Sequence, residues 1–121
     1  MTPRSEGGCH CRRIRFRADG APKFVSRCHC ASCRKTTGAA YSTWVGFDAG
    51  ETAWTGETPD AYASSTGVKR SFCKSCGTPL SYESQKWPGE RHFLIGVFDD
   101  PNEFTPAGDY LRDEGLGWVK T

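Results

Sequence analysis

The sequence predicts a mainly β protein with short strands and little helix, organised around cysteine-held metal. Three observations carry this. Fourteen Gly and seven Pro, spread along 121 residues, break the chain into short segments. Runs of apolar, β-branched and aromatic residues outnumber stretches of helical periodicity. Seven cysteines fall into three tight groups, Cys9/Cys11, Cys28/Cys30/Cys33 and Cys73/Cys76, with none left over.

Taken in order, Arg13 to Arg17 alternates charged and apolar residues, which puts Ile14 and Phe16 on one face of a strand. Lys23 to Arg27 is a second short strand. Ala31 to Thr37 is the best helix, one or two turns ended by Gly38. Tyr41 to Phe47 and Val68 to Phe72 carry strand-forming residues. Trp87-Pro88-Gly89-Glu90 reads as an exposed turn whose Trp could cover a substrate cleft. Arg91 to Phe98 is the most apolar run and reads as a central strand, closed by the turn Asp99-Asp100-Pro101-Asn102. Asp side chains fix such turns by accepting nearby backbone N–H groups. Trp44, Phe47, Trp54, Phe93 and Phe98 are assigned to the core or a pocket wall, and His92 to a structural or surface role. The polar stretch from Asp109 to Thr121 is expected to anchor on the body through Leu116 and Trp118.

The length fits one domain spanning residues 1–121, large enough to bury roughly two-thirds of its unfolded surface. Sixteen Lys and Arg against fourteen Asp and Glu leave +2, which gives no electrostatic case for a nucleic-acid partner. No apolar run approaches the ~20 residues of a membrane span, and the N-terminus has no apolar signal region. The expected location is cytoplasmic, with no membrane partner. Disulfides are rare there, and an odd cysteine count could not all pair within the chain.

Zinc takes four tetrahedral ligands. On an extended chain, Cys9 and Cys11 present their sulfurs on one face. Cys73-x2-Cys76 followed by Gly77 reads as a knuckle whose glycine supplies positive φ. Two pairs make four thiolates, a closed structural zinc site that staples the N-terminus to a segment some sixty residues later. Cys28, Cys30 and Cys33 remain, three sulfurs within six residues. His29 points away from that metal if the segment is extended, so it is a poor fourth ligand. A four-plus-three division gives the second zinc an open position, the mark of a catalytic site. His92, His10 or a carboxylate could instead close it.

Zinc with three thiolates is net negative and a poor activator of water, yet well suited to an exogenous thiol. Binding lowers that thiol's pKa. Nearby cations should relieve the added charge. Arg27 precedes the cluster, and Arg34 and Lys35 follow it. Arg34 and Lys35 are the candidate substrate-binding residues, through substrate carboxylates; a solvated surface role is the competing reading.

Several motifs now resemble one family. They are Gly8-Cys9-His10-Cys11, Cys28-His29-Cys30-Ala31-Ser32-Cys33-Arg34-Lys35 with Thr37-Gly38-Ala39, Arg70 to Thr78, and Phe98-Asp99-Asp100-Pro101. Together they resemble the glutathione-dependent formaldehyde-activating enzymes, a family also named for centromere protein V, with a motif-matched core over about 8–118. The resemblance implies a small mixed β-tent around two Zn2+ ions. It also implies structural ligands at Cys9, Cys11, Cys73 and Cys76, and catalytic-zinc ligands at Cys28, Cys30 and Cys33. The implied activity is that of a carbon–sulfur lyase on a small thiol–aldehyde adduct such as S-hydroxymethylglutathione. Glutathione would be the small-molecule thiol, its thiolate binding at the open three-cysteine site. By sequence proximity, His29 and Tyr41 are candidate proton donors.

The competing reading is a non-catalytic zinc-binding module with two structural zincs that contacts a protein or other partner. A dithiol redox enzyme would want a βαβ context around Cys73 and Cys76, and none is visible. A zinc store would show exchangeable metal without turnover.

Overall fold

A computed structural model describes residues 3–121. In chain order the elements are β1 (Arg4–Gly8), β2 (Arg15–Asp19), β3 (Phe24–Cys28), α1 (Ala31–Thr37), β4 (Ser42–Asp48) and β5 (Thr52–Trp54). They continue with β6 (Asp60–Ser65), β7 (Val68–Phe72), β8 (Pro79–Ser84), β9 (Glu90–Leu94) and β10 (Gly108–Tyr110). The fold is mainly β, as the sequence predicts. α1 is the one α-helix among the described residues. The Cys30 sulfur caps it by accepting from the Cys33 N–H at 3.2 Å. Gly38, at φ 74°, ends it and donates to the Arg34 carbonyl at 2.7 Å.

The strands form two sheets. One has the order β1-β2-β5; the other has the order β10-β3-β4-β9-β8-β7-β6. All pairings are antiparallel except β10 on β3, which is parallel. β9 lies fourth of seven, so the apolar run is central as expected. It is shorter than expected. The strand stops at Leu94, and Ile95–Val97 tightens into a 3-10 turn. That turn carries Phe98 back to the Phe16 ring, 5.2 Å away and edge-on. Burial of Phe98 outweighs continuation of the ladder.

The core draws from both sheets: Phe16 and Ala18 of β2, Val45 and Phe47 of β4, Phe93 of β9, and Phe98. The Phe16 and Phe93 rings stack at 4.0 Å. Gly46 on β4 sits directly under the Phe24 ring, where a Cβ would lie 2.1 Å from a ring carbon. A side chain there would displace Phe24.

The C-terminal anchor differs from the expectation. Trp118 is 72% exposed and Leu116 is exposed too, while Val119 is buried. Val119 donates its N–H to the Leu116 carbonyl at 3.1 Å, a tight turn that faces the valine inward and the two larger residues outward. No helix among the described residues is long and apolar enough to cross a membrane.

Phe93 is fully buried and packs against Phe16 and Trp54 of the small sheet and Phe47 of its own. Phe93→Ala should therefore lower stability by about 3–5 kcal/mol, read from the urea midpoint.

Candidate metal centres and cavity

Two groups of sulfurs converge, and each lies within 4.8 Å in every pairing. The first is Cys9, Cys11, Cys73 and Cys76. Cys9 and Cys11 come together at 3.5 Å, and Cys11 and Cys73 at 3.7 Å. The first pair does not sit on an extended strand. The chain turns, with the Arg12 N–H on the Cys9 carbonyl at 3.1 Å and Arg12 at φ 72°. The turn is needed because β2 must run back antiparallel on β1. The second pair is the anticipated knuckle. Gly77, at φ 81°, donates to the Cys73 carbonyl at 2.7 Å. Thr78 ties the pairs together: its hydroxyl accepts the His10 N–H at 3.1 Å and lies 3.2 Å from the Cys76 sulfur. That hydroxyl holds the Cys76 thiol down, to about 5.

The second group is Cys28, Cys30 and Cys33. Cys28 ends β3, Cys30 caps α1, and Cys33 lies in the first turn of the helix. The Cys28 and Cys33 sulfurs are 3.5 Å apart. Their contact pushes the Cys33 thiol down to about 4 and the Cys28 thiol up. A tetrahedral ion with bonds of ~2.3 Å to sulfur separates its ligands by ~3.8 Å, so both groups have the donors and spacing for a metal ion.

The two groups differ in what surrounds them. Cys28, Cys30 and Cys33 line a cavity of about 590 Å³, and none of the other four does. Aromatic side chains of Phe24, Trp44, Tyr82, Trp87 and Tyr110 wall it. Trp87 thus reaches the cleft, as its turn suggested. Three cations, Lys23, Arg70 and Lys86, line it as well. Arg70 is buried on β7, with Nη2 3.8 Å from the Cys33 sulfur and 3.3 Å from the Ser32 hydroxyl. Its Nε donates to Ser64 at 3.0 Å, and its guanidinium lies 5.0 Å from the Tyr82 ring centre. So the cation at the Cys33 sulfur comes from a strand 37 residues away in sequence. The signal was present in part: a charged residue between Val68 and Phe72 in an alternating strand shares their face.

Arg34 and Lys35 do not line this cavity. Arg34 donates to the carbonyls of His29 and Glu114, both at 2.7 Å. Lys35 borders a separate groove with Tyr62 and Leu80. His29 points away from the cysteines, as the alternation required; it is fully buried and bonds Asp109 at 2.8 Å. Tyr41 packs against it, 5.3 Å between ring centres, so neither expected proton donor faces the cavity. Arg27 forks onto the same Asp109 at 2.9 and 3.1 Å and, with His29, holds that carboxyl far below its usual range. This clasp fixes β10 on β3 and so places Tyr110 on the cavity wall. His92 is buried in the wall and bonds Glu90 at 2.9 Å; Lys23 bridges Glu90 and Asp48. Burial pushes the His92 imidazole down, and Glu90 only partly offsets it.

The chain is similar to known proteins along most of its length. A family model described as glutathione-dependent formaldehyde-activating enzyme matches residues 4–113. A Halomonas elongata protein, provisionally named as such an enzyme, is 32% identical over 95% of this chain and 79% of its own. A Schizosaccharomyces pombe protein named as an uncharacterised lyase is 34% identical over 66% of this chain and 58% of its own. A crystal structure of a Rhodobacter sphaeroides protein shares the fold at TM-score 0.66 and 17% identity, covering 86% of this chain and 98% of that one.

Cys76→Ser leaves three sulfurs in the first group; elemental analysis after chelator treatment should find metal lost where the parent retains it. His92 gives a pH prediction. Its folded pKa lies below the ordinary 6.5, so the unfolded chain binds the proton first. Stability should fall as pH drops from about 6.5 toward the folded value. His92→Asn should flatten that part of a denaturation-against-pH profile.

Proposed function

The chain belongs to the glutathione-dependent formaldehyde-activating enzyme family, and from that premise we propose that it is a zinc-dependent carbon–sulfur lyase. Its substrate is a small thiol–aldehyde adduct of the S-hydroxymethylglutathione kind. One observation carries the reading: the three-cysteine group lines the cavity, beside Arg70, and the four-cysteine group does not. Cys9, Cys11, Cys73 and Cys76 would hold a structural zinc, and Cys28, Cys30 and Cys33 a catalytic one. Both belong to one domain over residues 1–121, and seven thiols suit a reducing compartment such as the cytoplasm.

Zinc in the second group would supply Lewis acidity that lowers the pKa of a substrate thiol. The chain's own residues do the rest. In the lyase direction the adduct hydroxyl gives up its proton to water, the carbon–oxygen double bond forms, and the carbon–sulfur bond breaks. The electron pair leaves on sulfur. That sulfur becomes negative beside three cysteines, so the step needs a fixed cation. Arg70 supplies it without reorganisation, because Ser64, Ser32 and the Tyr82 ring already hold the guanidinium. The aromatic walls lower the polarity around the thiolate and strengthen that attraction. The reverse step joins thiolate to aldehyde and returns a proton to the alkoxide.

The reading is tested by zinc content per chain, before and after dialysis against glutathione. Two zincs, one fixed and one perturbed by glutathione, are expected; a single glutathione-resistant zinc would move the protein to the binding-module reading. Cys30→Ser should lose one zinc per chain and all lyase turnover while the fold survives in circular dichroism. Arg70→Met should lower kcat about a hundredfold, with partial recovery in Arg70→Lys.

A further inference from the structure

Of the three cations on the cavity wall, two are committed. Arg70 faces the cysteine sulfurs. Lys23 sits between two carboxylates, 3.1 Å from Asp48 and 3.0 Å from Glu90. Lys86 is different. Among the described residues no carboxylate lies within salt-bridge distance of it. Its ammonium donates to the Tyr110 hydroxyl at 3.2 Å and lies 5.9 Å from the ring centres of both Trp87 and Tyr110. All three residues line the cavity. The one carboxylate on the wall, Glu90, is already bonded to His92 and Lys23.

Resting on the lyase reading of this cavity, we propose that Lys86, framed by Trp87 and Tyr110, is the anchor for a carboxylate of the thiol substrate. Three features argue for this. An ammonium with one neutral partner retains two N–H donors and its full charge for an anion. Two aromatic rings and the Tyr110 hydroxyl already place the ammonium of this exposed lysine at the cavity wall, so less side-chain freedom is lost when the anion docks. Tyr110 pairs with Cys28 in the β10–β3 ladder, so Lys86 stands one tyrosine side chain away from the strand that bears the first reactive-site cysteine. A thiol placed at the cysteines can therefore extend along Tyr110 and end its carboxylate at Lys86. No free carboxylate on the wall would recognise an ammonium, so an amino group on the substrate contributes little.

The test uses ligands without a free thiol, so that it does not depend on zinc or turnover. Binding of S-methylglutathione and of its diethyl ester would be followed by tryptophan fluorescence and calorimetry, in the parent, Lys86→Met and Lys86→Arg. In the parent, esterification should weaken binding about tenfold, the effect of losing one charge-assisted contact. In Lys86→Met the two ligands should bind alike, and Lys86→Arg should restore the difference. An equal esterification penalty in the parent and Lys86→Met would overturn the proposal. So would parent-like binding of S-methylglutathione by Lys86→Met, or no binding by the parent up to about 10 mM. Turnover of the glutathione–formaldehyde adduct, measured alongside, separates the two ideas. Absent turnover with the Lys86 pattern intact refutes the lyase reading alone, and turnover without that pattern refutes the anchor alone.

Discussion

The convergence of four sulfurs from opposite parts of the chain is the constraint on which the rest depends. Cys11 and Cys73 meet at 3.7 Å across 62 residues of sequence. Cys9 leaves β1, and Cys73 follows β7, so the contact joins the small sheet to the large one. Cys9, Ile14, Cys73 and Leu80 form their own buried cluster around that junction. A loop this long closes at a high entropic cost, and a modest core is poorly placed to offset it alone. Four thiols in the correct spacing for a metal ion meet at that point, and a bound ion would supply the missing cohesion.

Electrostatics separates the two sulfur groups in kind. The four-cysteine group is satisfied by local N–H groups and hydroxyls: Ile14 N–H on Cys9 and Thr78 beside Cys76. The three-cysteine group instead meets a full positive charge, the buried Arg70 guanidinium. A buried cation is costly unless an anion answers it. Here the answering group is a set of thiols that can ionise. A positive charge so placed favours the ionised form of the sulfurs it faces.

The C-terminal segment completes the cavity from outside the cysteine motifs. Asp109 takes Arg27 and His29 together, and Arg34 binds the Glu114 carbonyl while Glu114 accepts the Ala31 N–H at 3.3 Å. Residues adjoining the three cysteines thus spend their polar groups on the last strand and turn. Arg34 ties the start of the helix to the segment that follows Tyr110. Partners of this kind orient the groups around a reactive centre.

The sequence by itself determined the mainly β class, the short helix over Ala31–Thr37 ended by Gly38, and the division of seven cysteines into groups. These rest on local chemistry: spacing, periodicity and positive-φ glycines act within a few residues. It also fixed the direction of His29, because alternation along an extended segment is local. Tertiary structure alone decided which cations meet the cysteines. Arg34 and Lys35 are sequence neighbours of Cys33, yet helix geometry turns them to other surfaces, while Arg70 arrives through the β7 register. Likewise Val119 replaced Leu116 and Trp118 as the terminal anchor, since burial depends on which side of a turn faces the body. Weak polar strands such as β1 and β10 were illegible for the same reason. Their ladders form only because a partner strand is already in place.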